Sequence, residues 1–206
     1  MICLTVQIKY LIPPLIWLSD ANRVGFWPGT INVHAHTLGT VSNGFSFHYR
    51  MLEAQRAWAN ALGVTITGVT QAANAQIRSW GGTAQNIADH LGRPTFPYEG
   101  LAEIVWWTPR AGTITVGGVT RNAYELASHN RMWVRQRSTA ASWTQDDINR
   151  TRNTTAHELG HVLGYIGHSP RVAENNQDVM WWTNHAGFTL RQNEIRHLRQ
   201  IYDHFR

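Results

Sequence analysis

Hydrophobic residues recur along this chain at two spacings. Over residues 46–62, Phe47, Met51, Ala54, Trp58 and Ala61/Leu62 stand three or four apart, which is one face of a helix, and Gly63 follows as a stop. Residues 64–67 are β-branched and read as a strand, as do 75–80 before Gly81-Gly82. A short helix fits 83–91, closed by Gly92 and Pro94. Three further strands are expected at 102–108, 113–119 and 131–137. Thr144 and Asp147 have capping-box spacing, which opens a helix over 145–163 that stops at Gly164. A last helix fits 190–202, with Thr189 as its N-cap. Residues 20–45 are rich in Gly, Asn, Thr and Pro and predict loop with one short strand. The order is a helix, several strands, then two helices, which places the chain in the α+β class.

The first 18 residues, MICLTVQIKYLIPPLIWL, form a separate apolar segment. A spanning helix needs about 20 apolar residues, and Pro13-Pro14 breaks this run. It reads as a poor signal-like segment or a buried first strand, so residues 1–19 are set apart from a single domain over 20–206. No other stretch has the length and apolarity of a transmembrane anchor.

Composition narrows the chemistry. The 206 residues include 11 His and a single Cys, Cys3. A disulfide framework and thiolate metal sites are both excluded, so a bound metal must be held by His and carboxylates. Hydrophobic residues at 43% and charged residues at 15% are the reverse of a disordered composition. The formal charge is +5, and Lys9 is the only lysine among 18 basic residues. The arginines form no block of like charge and accompany no nucleic-acid motif, so they read as solvated faces and no nucleic-acid partner is expected.

Most histidines are scattered. His34 and His36 have the i, i+2 spacing of a strand-borne metal pair, but no third ligand stands near them in sequence. The informative run is HELGHVLGYIGHS, residues 157–169. His157 and His161 are four apart, which on a helix puts both imidazoles on one face, about 6 Å apart along the axis. Glu158, offset by one, is placed to act on a water beside that pair rather than to join it. A straight helix would carry His168 about 16 Å further along. Gly164, aided by Gly167, can end the helix and turn the chain back, adding a third imidazole.

This run resembles the metzincin zinc endopeptidases, closest to the matrixin-like branch. Their pattern is His-Glu-x-x-His-x-x-Gly-x-x-His, with a Met-containing turn downstream. The resemblance implies Zn2+ held by His157, His161 and His168, with Glu158 as the general base. It makes Asp178-Val179-Met180 the Met-turn, Met180 supporting the site without ligating. It implies an upper lobe with a twisted mixed sheet over about 20–164, a smaller, mostly irregular lower lobe with a C-terminal helix over about 165–206, and a cleft between them. One position departs: the third His of the pattern falls on Gly167, and His168 lies one residue beyond. Glu174, Asp178, His185 and Glu194 are the other candidates for third ligand.

The expected activity is hydrolysis of protein or peptide substrates by a secreted, extracellular monomer. The peptide would lie along an edge strand within 74–137, and residues 181–188, with two Trp, would wall the pocket beyond the scissile bond. The alternative is an inactive zincin that binds a peptide or another partner.

Overall fold

The computed structural model describes residues 21–42, 44–107, 110–139, 142–170, 176–183 and 185–206. The N-terminal segment 1–19 with Cys3, and Glu174, lie outside the described residues. The chain is a mixed α+β protein with two mixed sheets and four helices among the described residues.

The elements follow in order: β1 (Arg23–Phe26), β2 (Ile31–Thr37), α1 (Phe47–Leu62), β3 (Ile66–Gly68), β4 (Ile77–Gly82), α2 (Ala84–Leu91), β5 (Gly100–Glu103), β6 (Gly112–Val116), β7 (Val119–Glu125), β8 (Asn130–Arg135), α3 (Gln145–Val162) and α4 (Gln192–Phe205). The larger sheet has the order β3-β2-β4-β8-β5. Its first four strands run parallel, and β5 closes one edge antiparallel to β8. The smaller sheet has the order β1-β7-β6, with β1 parallel to β7 and β6-β7 an antiparallel hairpin.

The helices lie where the periodicity puts them. α1 buries Phe47, Met51, Ala54, Trp58 and Leu62, the predicted stripe, and Gly63 caps it in the left-handed conformation. Thr83 and Thr144 cap α2 and α3, each in a complete capping box. α4 starts two residues later than expected, with Arg191 rather than Thr189 as N-cap. Glu194 decides this start: its carboxylate accepts the Arg191 N–H at 2.9 Å.

Strands differ more. Residues 20–45 carry two strands, not one. In β2 the alternation Ile31, Val33, Ala35 against Asn32, His34, His36 is the signal, masked by the Gly and Asn around it. The strand expected at 102–108 begins earlier and ends at Glu103. The one expected at 113–119 is half of a hairpin whose turn is Gly117-Gly118, both at positive φ.

The main apolar core runs from Val24 to Tyr202, and a second, smaller cluster of Ile87, Ala88, Phe96 and Trp133 packs α2 on the larger sheet. α1 packs on the larger sheet and on α3, and the Trp58 indole N–H donates to the Ala156 carbonyl at 2.8 Å. The orphan carbonyls at the C-terminus of α3 are met from two other elements. Trp27 Nε1 donates to Val162 O at 2.9 Å, and the Tyr202 hydroxyl donates to Leu163 O at 2.8 Å. Among the described residues, no helix is long and apolar enough to cross a membrane.

α4 also buries His197 completely, its ring 4.4 Å from that of Tyr165. Burial, with a smaller effect from Arg121, pushes this imidazole down from 6.5 to about 3. In the unfolded chain the same group protonates near pH 6.5. As pH falls from 6.5 towards 3, the unfolded state gains a proton that the folded state does not. From this residue, stability therefore drops by up to about 1.4 kcal/mol per pH unit in that window. His197→Gln should flatten this part of the acid profile in urea titrations at pH 7, 5.5 and 4. An unchanged slope would assign the acid sensitivity elsewhere.

Candidate metal centre

α3 carries the site and is held at both ends. The Thr144 N–H donates to the Asp147 carboxylate and the Asp147 N–H to the Thr144 hydroxyl, at 3.1 Å each, and Asp146 and Asp147 sit at the positive end of the helix dipole. The middle of the helix is polar yet buried. Its hydroxyls are satisfied locally: Thr151 donates to Asp147 O at 2.8 Å, Thr154 to Arg150 O at 3.0 Å and Thr155 to Thr151 O at 2.7 Å.

His157 and His161 lie one turn apart on α3, half-buried, with ring centroids 4.6 Å apart. Each spends one nitrogen on a backbone carbonyl, which can only accept. His157 Nδ1–H donates to Val179 O at 2.7 Å, and His161 Nδ1–H donates to Tyr165 O at 2.8 Å. Both Nε2 atoms are thereby left with lone pairs, and they stand 3.0 Å apart. Two imidazole lone pairs at that distance repel unless a cation or proton lies between them. Burial, then the neighbouring His161, holds the His157 imidazole well below its usual range, which opposes the proton.

His168 completes the group. The chain leaves α3 through Gly164 at φ 112° and Gly167 at φ 79°, both in the region glycine favours. A Cβ on Gly164 would lie 2.0 Å from the Gly25 carbonyl oxygen of β1, so this turn also needs glycine for space. The return places the His168 ring 5.3 Å from His157 and 5.0 Å from His161. The ligand atoms of the three histidines all lie within 4.8 Å of one another, the only such metal-binding group among the described residues. The one-residue displacement of His168 is absorbed in this turn.

The other third-ligand candidates among the described residues, Asp178, His185 and Glu194, stand in other surroundings. His185 Nε2 donates to Asp178 O at 2.7 Å, and its Nδ1 accepts the Gly187 N–H at 2.9 Å. Glu194 accepts the Met180 N–H at 2.6 Å as well as that of Arg191. Asp178 is buried beside Ser169, its carboxyl raised chiefly by desolvation.

Met180 packs against the back of α3. A Cβ on Gly160 would lie 2.5 Å from Met180 Sδ and 2.8 Å from the Trp58 ring, so the bare helix surface there seats the thioether. The Met180 carbonyl accepts the Ser169 N–H at 2.9 Å, which ties this turn to the segment bearing His168.

Glu158, next to His157 on α3, borders a cavity of about 400 Å³ also lined by Tyr98, Glu99, Gly100, Asn153, Thr154, His157, His168, Trp181, Trp182 and Thr183. Burial alone raises its carboxyl to about 8. Gly100 of β5 lies directly against it: a Cβ there would be 2.5 Å from Glu158 Oε1. The spacing of the motif says nothing of Gly100, of Tyr98, or of the Val179 and Tyr165 carbonyls. Backbone acceptors leave no residue-type signal, and Gly100 looks in sequence like any turn glycine.

Compared with known protein families and with curated proteins, the chain matches none. What the geometry supports by itself is a three-histidine group able to hold a metal ion.

Direct ligands outweigh their outer-shell partners, whose loss typically lowers metal affinity about 10–100-fold. With Zn2+ as the probe ion, His168→Ala should therefore weaken metal binding by this group at least about tenfold, read by equilibrium dialysis with elemental analysis. An unchanged affinity would move the third position to another residue.

Proposed function

We propose that this chain is a zinc-dependent endopeptidase of the metzincin type, matrixin-like, acting on proteins or peptides outside the cell. The observation that carries this reading is the pairing of the His157–His161–His168 group with a buried carboxylate, Glu158, across one open cleft.

The donor set suits zinc: three imidazoles, with the Nδ1 atoms of His157 and His161 bound to carbonyls. When bound, zinc supplies a lowered pKa to water and polarises a carbonyl. Glu158 takes the water's proton as its oxygen adds to the scissile carbonyl carbon, and delivers that proton to the leaving amine as the C–N bond breaks. A carboxyl raised to about 8 by burial is a poor base at neutral pH. A cation held by the adjacent histidines favours its ionised form, so base and metal are expected to act together.

The substrate path follows from the sheet. β5 is the end strand of the larger sheet, and its Gly100 borders the cleft. An extended peptide adding to that edge would lie across Glu158. Tyr98 and Trp182 at the rim are 50% and 45% exposed, and Trp181 joins them. Aromatic walls of this kind favour a bulky apolar side chain next to the scissile bond.

The test is Glu158→Gln, assayed on a broad protein substrate and a peptide library. Loss of general-base catalysis should lower activity about 100-fold or more with Zn2+ content unchanged. Chelation should abolish the wild-type activity and added Zn2+ restore it. Activity surviving within about tenfold in the variant would remove Glu158 from the chemistry. Zn2+ bound without hydrolysis of any library peptide would make the chain a metal-holding binding module instead.

A further inference from the structure

Histidines gather at one other place. β3 pairs only with the first three residues of β2, Ile31, Asn32 and Val33. From His34 onward β2 runs past the end of β3 and borders a groove of about 390 Å³ that His34, His36 and His48 all line. His34 and His36, two apart on the strand, share one face. Their rings are nearly parallel, at 16°, with centroids 6.3 Å apart. His34 Nδ1–H donates to the Val69 carbonyl at 3.2 Å, leaving Nε2 as the bare nitrogen. His157 and His161 are oriented in the same way in the cleft.

We propose that His34 and His36 form a second metal site, distinct from the cleft, for a divalent transition ion of the Ni2+/Cu2+ class. Imidazole suits such ions. No carboxylate lines the groove, so it offers nothing to Ca2+ or Mg2+, which take oxygen ligands. The pair is wider than the cleft group: its ring centroids stand 6.3 Å apart, against 4.6, 5.3 and 5.0 Å there. Closing it needs rotation of His36, which is exposed and able to turn. Binding here is accordingly weaker than in the cleft. The inference is independent of the proposed proteolysis.

The test uses the full chain carrying His157→Ala and His161→Ala, which disables the cleft group, titrated with Ni2+ by isothermal calorimetry at pH 7.5. Saturable binding of about one ion per chain is expected, weakened at least about tenfold by either His34→Gln or His36→Gln. No saturable binding, or binding indifferent to both substitutions, overturns the proposal. Should the cleft variant fail to fold, the wild-type chain preloaded with Zn2+ takes its place. The Ni2+ event must then be lost with His34→Gln and His36→Gln while the Zn2+ content stays constant, and Ni2+ uptake unaffected by them overturns the proposal equally.

Discussion

His157 Nε2 and His161 Nε2 stand 3.0 Å apart, and as neutral rings with each Nδ1–H held by a carbonyl neither can donate to the other. That constraint asks for a cation at the point where the two lone pairs meet, and much of the surrounding structure supplies its conditions. The two carbonyls come from different places. Tyr165 lies just past the end of α3, in the turn that Gly164 makes possible. Val179 lies in a turn that returns to the back of the same helix after His168. Moving either carbonyl would free a ring to rotate and end the convergence.

The supports of those carbonyls reach far into the fold. The last carbonyls of α3 accept from Trp27, near β1, and from Tyr202, on α4. Glu194 of α4 holds the Met180 N–H, and Met180 fills the hollow left by Gly160. β1 itself is held in the small sheet by β7 and touches the chain reversal at Gly164. Elements distant in sequence thus converge on one helix end. A buried polar network of this kind is costly if half made, because each unsatisfied group keeps its desolvation penalty.

Glu158, beside His157 on the same helix, shows the same economy. Its burial against Gly100 raises the carboxyl to about 8, which leaves it dependent on a nearby positive charge for its ionised form. The bare backbone of β5 at that point lets the carboxyl lie flush with the edge of the sheet. Glu158, two of the three histidines and the sheet edge therefore border one open space.

The chain's own pattern determined the local facts. Helical spacing gave α1 its buried stripe, the Thr-x-x-Asp box opened α3, and the i, i+4 pair with a glycine seven residues on placed His157, His161 and the chain reversal. These are legible because helix geometry is fixed by residues three and four apart. The strands were less legible: β1, β2 and the β6-β7 hairpin are short and interrupted by Gly and Asn, and pairing partners are set by contacts far away in sequence. Only the tertiary structure decided that His168, displaced by one residue, reaches the group while His185 and Glu194 are drawn into other hydrogen bonds. It also decided which strand edge faces Glu158. Ligand choice here depends on backbone carbonyls and on close packing at glycine, and neither leaves a mark on residue type.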